Sequence, residues 1–371
     1  MKKRVLFLIH DLGPRGAEKV LVNLANGLDR NKFDVSVRTL FDWGPNRDAL
    51  APDVHYSFWI GRVIRGNSHL MKLWTPEQLW KMIIPEKFDV VAAFLEGPCS
   101  RVAGGCPQDG TKIVSWIHTP IKDTRKFTEG FRNFSEAVRC YSRADAVVFV
   151  SEDVKKAFLR HFQPKKRTEI LYNVFDSERI KSLASEEPAC PAPDPSQLNW
   201  CGIGRMVSEK GWERMLKIQR KLLDDGFPAH FYLIGDGPQQ KEFENLAENL
   251  GLGSSVTFTG YLGNPYAILS RCIVFVSASL REGFSSTAVE SLIVGTPVCT
   301  VDVGGMREIL GSNGEYGVIT QNDDEALYKA VCHFFSDEEY QKLCRMKALE
   351  RGSHFGSQQT LSAAESFLLS L

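Results

Sequence analysis

The residues best suited to chemistry cluster near position 285. Glu282 and Glu290 stand eight positions apart and flank Gly283-Phe284-Ser285-Ser286-Thr287. The apolar, β-branched run Cys272–Ser277 ahead of them reads as a buried strand, and Ala288, Leu292 and Ile293 behind them repeat at helical spacing until Gly295 and Pro297. Ser285, Ser286 and Thr287 occupy cap positions, and Thr287-x-x-Glu290 fits a capping box. Strand, glycine turn and capped helix direct free backbone N–H groups and the positive helix end toward one point. A phosphate is the usual occupant of such a point. Carboxylates repel phosphate, so Glu282 and Glu290 suit neutral sugar hydroxyls instead. Phosphate and sugar together suggest a nucleotide sugar.

A second set lies on the loop Gly202-Ile203-Gly204-Arg205-Met206-Val207-Ser208-Glu209-Lys210-Gly211. Val207 stands where a dinucleotide fingerprint needs its third glycine. The loop instead offers Arg205, which can grip phosphate oxygens with two parallel bonds, and Lys210 as a point charge. The plainer reading is a surface ion pair with Glu209, but the nearby helix start favours phosphate. Two further groups, Glu96 and His118, fall at the carboxyl ends of predicted strands, where parallel sheets collect ligands. A lone histidine is more often structural, so both roles stay open for His118. They stay open for Gly16 too, which either lets a backbone amide approach a phosphate or sugar or simply makes a tight turn.

The elements that must carry these residues alternate. Val5–Ile9 reads as a strand and Phe33–Leu40 as another, with helical spacing of Ala17, Val20, Leu21, Leu24, Ala25 and Leu28 between them. A β-α-β opening implies a parallel sheet with right-handed crossovers. NAD is disfavoured, because Gly13 and Gly16 make no fingerprint and no acid ends the second strand. Further strands are expected at Phe88–Leu95, Lys112–Ile117, Asp145–Ser151 and Thr168–Asn173. The proline-rich stretch Glu186–Pro195 has the composition of a boundary. A second alternation follows, with strands at Leu198–Ile203, Phe231–Ile234, Val256–Thr259, Cys272–Ser277 and Pro297–Val301. The expected class is α/β, with two Rossmann-like parallel-sheet domains, 1–186 and 197–354, facing each other across a ligand-binding cleft.

Composition narrows the function classes. Lys+Arg and Asp+Glu both total 45, so no net field argues for nucleic acid. The nine cysteines are scattered, with no CxxC spacing, which argues against disulfides and zinc and for a reducing cytoplasm. Met1–Arg4 followed by Val5–Ile9 superficially resembles a signal peptide, but the apolar run is short and Asp11 and Arg15 follow, so it reads as the first strand. Nothing approaches the ~18 apolar residues of a membrane span. Between 59 and 87, Trp59, Trp74 and Trp80 interleave with Arg62, Arg65, Lys72, Lys81 and Lys87. That mixture suits an anionic membrane surface, and it also suits a partly buried helix with a solvated charged face.

Taken together, these motifs resemble the retaining nucleotide-sugar glycosyltransferases of family 4, which have the GT-B fold. Glu282 to Glu290 matches the family's E-x7-E pattern, Gly204-Arg205 with Glu209-Lys210-Gly211 its phosphate-binding loop, and Gly235-Asp236-Gly237-Pro238 a loop near the nucleoside. Gly295-Thr296-Pro297-Val298, Gly304-Gly305-Met306-Arg307-Glu308, Gly16-Ala17-Glu18 and Asn23-Leu24-Ala25 also fit. Two departures are Thr119 after His118, where the family has aspartate, and Arg15 where it has a second glycine. The resemblance implies catalytic roles for Glu282, His118, Arg205 and Lys210. It implies substrate binding by Gly16, Gly204, Gly235, Gly283, Phe284, Ser285, Ser286 and Glu290, with no metal or other cofactor. The donor would be a UDP-sugar, or less favoured a GDP-sugar. The acceptor would be a lipid-linked saccharide in capsule, O-antigen or exopolysaccharide synthesis, met at the cytoplasmic face of the membrane. A helix at about 355–371 would pack back onto the first domain. The competing readings are a sugar-nucleotide epimerase or hydrolase of similar shape and a non-catalytic sensor of nucleotide sugars.

Overall fold

Runs of β-branched and aromatic residues buried on both faces form two parallel sheets. The structure, a computed structural model, describes residues 2–62 and 70–371. It divides into one unit of Met1–Phe175 with Ser357–Leu371 and another of Asp176–Gly356.

In the first unit the strands are β1 (Lys3–Ile9), β2 (Phe33–Phe41), β3 (His55–Ile60), β4 (Val90–Ala93), β5 (Lys112–Ile117), β6 (Ala146–Phe149) and β7 (Arg167–Ile170). They lie in the order β3-β2-β1-β4-β5-β6-β7, every pair parallel. Val5 to Ile9 are fully buried, as a central strand covered on both faces requires. The helix Ser357–Leu369 docks on this unit. Glu365 accepts from the Asp29 amide at 2.8 Å and pairs with Lys32 at 2.9 Å, while Lys3 Nζ donates to the Leu368 carbonyl at 2.9 Å.

In the second unit the strands are β8 (Leu198–Ile203), β9 (Ala229–Ile234), β10 (Val256–Gly260), β11 (Val274–Ser277), β12 (Val298–Val301) and β13 (Val318–Thr320). Their order is β10-β9-β8-β11-β12-β13, again all parallel. The core is anchored by Trp200, stacked on Phe231 at 4.0 Å, whose indole N–H donates to Gln219 Oε1 at 2.8 Å. That satisfied polar tip is what lets a tryptophan be fully buried.

Composition suggests a boundary along Glu186–Pro195, between domains 1–186 and 197–354, whereas the division into units falls between Phe175 and Asp176. The helix Ser177–Ala184 goes with the second unit because its last carbonyls find donors there. Asn264 Nδ2 donates to Leu183 O at 2.8 Å and Ser270 Oγ to Ala184 O at 3.0 Å. No helix among the described residues is long and apolar enough to cross a membrane. All nine cysteines are free thiols.

Candidate active site

Ligands of parallel sheets gather where neighbouring strands send their connections to opposite sides. In the second unit the strand order reverses between β8 and β11, paired through Trp200–Val274 and Cys201–Phe275. The loops leaving these two strands are bound to each other. Gly211 adopts φ +73°, and a Cβ there would lie 2.2 Å from the Ala278 carbonyl oxygen, so only glycine permits the approach. Leu280 N donates to Glu209 O at 2.8 Å. Lys210 Nζ reaches Glu282 Oε1 at 2.7 Å, and Arg281 pairs with Glu209. Lys210 and Glu209 therefore take different partners, and the ion pair between them considered from sequence does not form. Arg205 is exposed, and among the described residues its guanidinium has no acidic partner.

The loop after β9 closes on the same point. Gly235, at φ +133°, leaves 2.1 Å between a would-be Cβ and the Gly204 carbonyl oxygen, and Met206 N donates to Asp236 O at 2.7 Å. Gly204 and Gly235 thus bring two backbones together next to Arg205 in sequence. From the far side, the loop after β12 leans on Gly283, where a Cβ on Gly305 would come within 2.5 Å of its carbonyl oxygen.

The helix Ser286–Ile293 begins one residue past its cap, Ser285, whose Oγ accepts from the Ala288 amide at 3.4 Å. The capping box expected at Thr287 is absent, because Ser285 takes the third helical N–H and Thr287 lies inside the helix. Glu290, a turn further on, is released from capping. It is buried, and its Oε1 accepts from the Tyr266 hydroxyl at 3.0 Å. Burial and the adjacent carboxylate raise the phenol well above its ordinary value, so Tyr266 keeps the proton it donates. Sequence reading missed Tyr266. It lies in the short helix Tyr266–Leu269, and no spacing rule links it to Glu290.

In the first unit the order reverses between β1 and β4. Gly16 opens the helix Gly16–Gly27, directly after Arg15, which pairs with both Asp11 and Glu18. Burial alone would raise Asp11, but hydrogen bonds from His10 and Arg15 outweigh it and hold the carboxyl at about 2. At Glu18 burial prevails over Arg15 and raises the pKa. Arg15 is thus already met by two carboxyls, and the Gly16 loop offers a phosphate less than the loops around Gly204.

His118, after β5, is 7% exposed and tilts against Phe94 with ring centroids 4.7 Å apart. Burial pulls its pKa down to about 3, so the imidazole is neutral. Its Nε2 is buried without a hydrogen-bond partner among the described residues. Glu96 fixes this turn by accepting from the His118 amide at 3.0 Å and from the Thr119 hydroxyl.

The aromatic and cationic stretch 59–87 separates into parts. Trp80 faces inward from the helix Pro76–Ile83 with Leu79 and Ile83, so it belongs to the core. Trp59 stands edge-on to the exposed Trp74 at 6.5 Å. Arg65 lies outside the described residues.

Comparison with known proteins covers both units. The model described as Glycosyltransferase Family 4 matches residues 14–179, and that described as Glycosyl transferases group 1 matches 196–351. One relative is the N-acetylgalactosamine-N,N'-diacetylbacillosaminyl-diphospho-undecaprenol 4-alpha-N-acetylgalactosaminyltransferase of Campylobacter jejuni, 28% identical over 232 residues. The match spans 62% of this chain and only 61% of that protein. Another is the 2-deoxystreptamine N-acetyl-D-glucosaminyltransferase of Streptomyces fradiae, 26% identical over 370 residues, 91% of this chain and 83% of the relative. Among solved structures, Anabaena HepE in complex with UDP shares the fold, with a TM-score of 0.78 at 19% identity over 100% of both chains.

Proposed function

As a member of glycosyltransferase family 4 with the GT-B fold, the chain is a glycosyltransferase, and we propose that it moves a hexose, with retention, from a UDP-sugar to a lipid-linked saccharide. Arg205 and Lys210 neutralise the donor diphosphate. The amides at Phe284, Ser285 and Ser286 add hydrogen bonds from the helix start. Glu290 takes the ribose hydroxyls and Glu282 those of the hexose, with Gly204, Gly235 and Gly283 providing room for the close approach. Neutral His118 offers its imidazole to a substrate hydroxyl.

As the bond from the anomeric carbon to the phosphate oxygen breaks, negative charge grows on the departing diphosphate. Donors aimed at that charge stabilise the transition state more than the ground state. The acceptor hydroxyl attacks the same face, and its proton passes to the leaving phosphate oxygen. Two cations meet the diphosphate in this scheme, and no divalent metal is required.

The observation that carries the reading is the 2.7 Å contact between Lys210 and Glu282, which joins the cationic loop to the first glutamate at the ends of β8 and β11. UDP is favoured over GDP by the UDP complex of HepE, and a lipid diphosphate acceptor by the substrate in the Campylobacter relative's name. A small soluble acceptor is the second reading, because the Streptomyces relative aligns over 91% of the chain.

The test incubates the purified chain with UDP-hexoses and either an undecaprenyl-diphosphate saccharide or 2-deoxystreptamine, and assigns the product anomer by NMR. An α-linked product on the lipid acceptor is expected from an α-donor. A β linkage would overturn retention, and transfer to 2-deoxystreptamine alone would overturn the lipid acceptor. Free hexose or an epimerised donor without acceptor would point to the hydrolase or epimerase, and intact donor throughout to a sensor.

A further inference from the structure

The segment Leu70–Trp74 of the first unit joins a buried anchor to exposed apolar side chains. Arg101, on the helix Pro98–Ala103, is fully buried. It pairs with Glu136 at 2.9 Å and donates to the carbonyls of Met71 and Trp74, each at 2.7 Å. Arg132 donates to the carbonyls of Lys72 at 2.6 Å and Leu73 at 2.9 Å, and its own amide donates to Glu136 Oε2 at 2.7 Å. Every carbonyl from 71 to 74 therefore accepts from an arginine. Burying a guanidinium is tolerated only when its bonds are fully met, and here they hold the main chain of a surface loop.

Met71 turns inward and is buried, but its apolar neighbours do not. Leu73 is 70% exposed, Leu70 46% and Trp74 37%, with Phe134, two residues past Arg132, at 43%. Lys72 and Arg132 stand beside them. Exposed apolar side chains beside cations, tied together through the Arg132 bonds to 72 and 73, mark an interaction site. These few side chains fall well short of the ~20–30 residues a side of a stable protein interface. A bilayer needs no matching shape. Tryptophan and leucine enter the headgroup region while lysine and arginine stay with the anionic lipid. A loop fixed in advance loses little freedom on docking.

We propose that Leu70–Trp74, with Phe134, is a docking surface for an anionic lipid bilayer. The inference rests on the reading of a lipid-borne acceptor and narrows the membrane contact expected over 59–87 to one anchored loop. The arginines bind carbonyls, so side-chain substitutions in the loop leave the anchor in place.

Co-sedimentation of the full chain with phosphatidylcholine vesicles, with and without phosphatidylglycerol, tests it at low and high salt. The chain should pellet with phosphatidylglycerol vesicles and be released by salt. The double variant Leu73→Glu/Trp74→Glu should partition on the order of 10- to 100-fold more weakly, and Leu73→Ala/Trp74→Ala should weaken in the same direction if the charged pair disturbs folding. UDP binding, measured in parallel, should be the same in all three proteins. Its failure would count against the transferase reading and leave the vesicle result standing. The proposal is overturned if the natural chain stays in the supernatant, or if the variants pellet equally. Vesicle-independent self-association abolished by the same substitutions would also overturn it, by showing a protein interface.

Discussion

Lys210 and Glu282 meet at 2.7 Å across two different loops, although the donor would draw them to different ends, the ammonium to the diphosphate and the carboxylate to the hexose. Each holds the other in place, and in the proposed complex an incoming donor would replace one contact with two. Lys210→Ala should therefore lower kcat/KM by roughly 100-fold or more, the cost of losing one electrostatic donor to the leaving group. Steady-state kinetics with UDP-hexoses check this, and near-normal turnover would remove Lys210 from the mechanism.

The Tyr266 hydroxyl, 3.0 Å from Glu290 Oε1, orients the carboxylate assigned to the ribose. A hydrogen bond to a charged acceptor contributes about 1.5–3 kcal/mol, so Tyr266→Phe should weaken UDP binding by roughly 10- to 100-fold. Calorimetric titration reads it directly. Equal affinity for both proteins would mean that Glu290 is held by other contacts.

His118 gives the chain a pH signature. Its ordinary value of 6.5 applies to the unfolded chain, and burial lowers it to about 3 in the fold. Below pH 6.5 the unfolded state takes up a proton that the folded state refuses until about 3. This group's contribution is therefore intact above 6.5 and is lost as pH falls through that window. By about pH 5 the loss amounts to ~2 kcal/mol. Urea unfolding from pH 7 to pH 5 should show a shallower decline for His118→Gln, and parallel declines would contradict a buried neutral histidine.

Chelation offers a separate check. If Arg205 and Lys210 meet the diphosphate as proposed, transfer should survive EDTA at the full rate. A loss of activity restored by Mg²⁺ or Mn²⁺ would show that a metal shares the charge.

Much of the fold was legible because central parallel strands are continuous apolar runs. Leu198–Ile203 and Lys112–Ile117 match their expected bounds. β3, at the sheet edge, and the three-residue β13 went unread, since half-buried or very short strands carry no apolar run. The glycine turns carrying Arg205, Lys210 and Glu282, and the start of the helix carrying Glu290, are legible in glycine and cap signals. What escaped were partners far apart in sequence. Tyr266 lies 24 positions from Glu290 and Glu136 35 from Arg101, and no local period connects such pairs. Trp80 misled in the opposite sense, because an aromatic among lysines looks alike whether it faces lipid or core.

The most direct measurement of the central claim, that the second unit binds a nucleoside diphosphate beside Arg205 and Lys210, is calorimetric titration of the chain and of Arg205→Ala with UDP and with GDP. Binding of UDP to the natural chain, weakened about 10-fold or more in the variant and by added salt, is the expected result. Failure of both nucleotides to bind, or equal affinity in the variant, would contradict it.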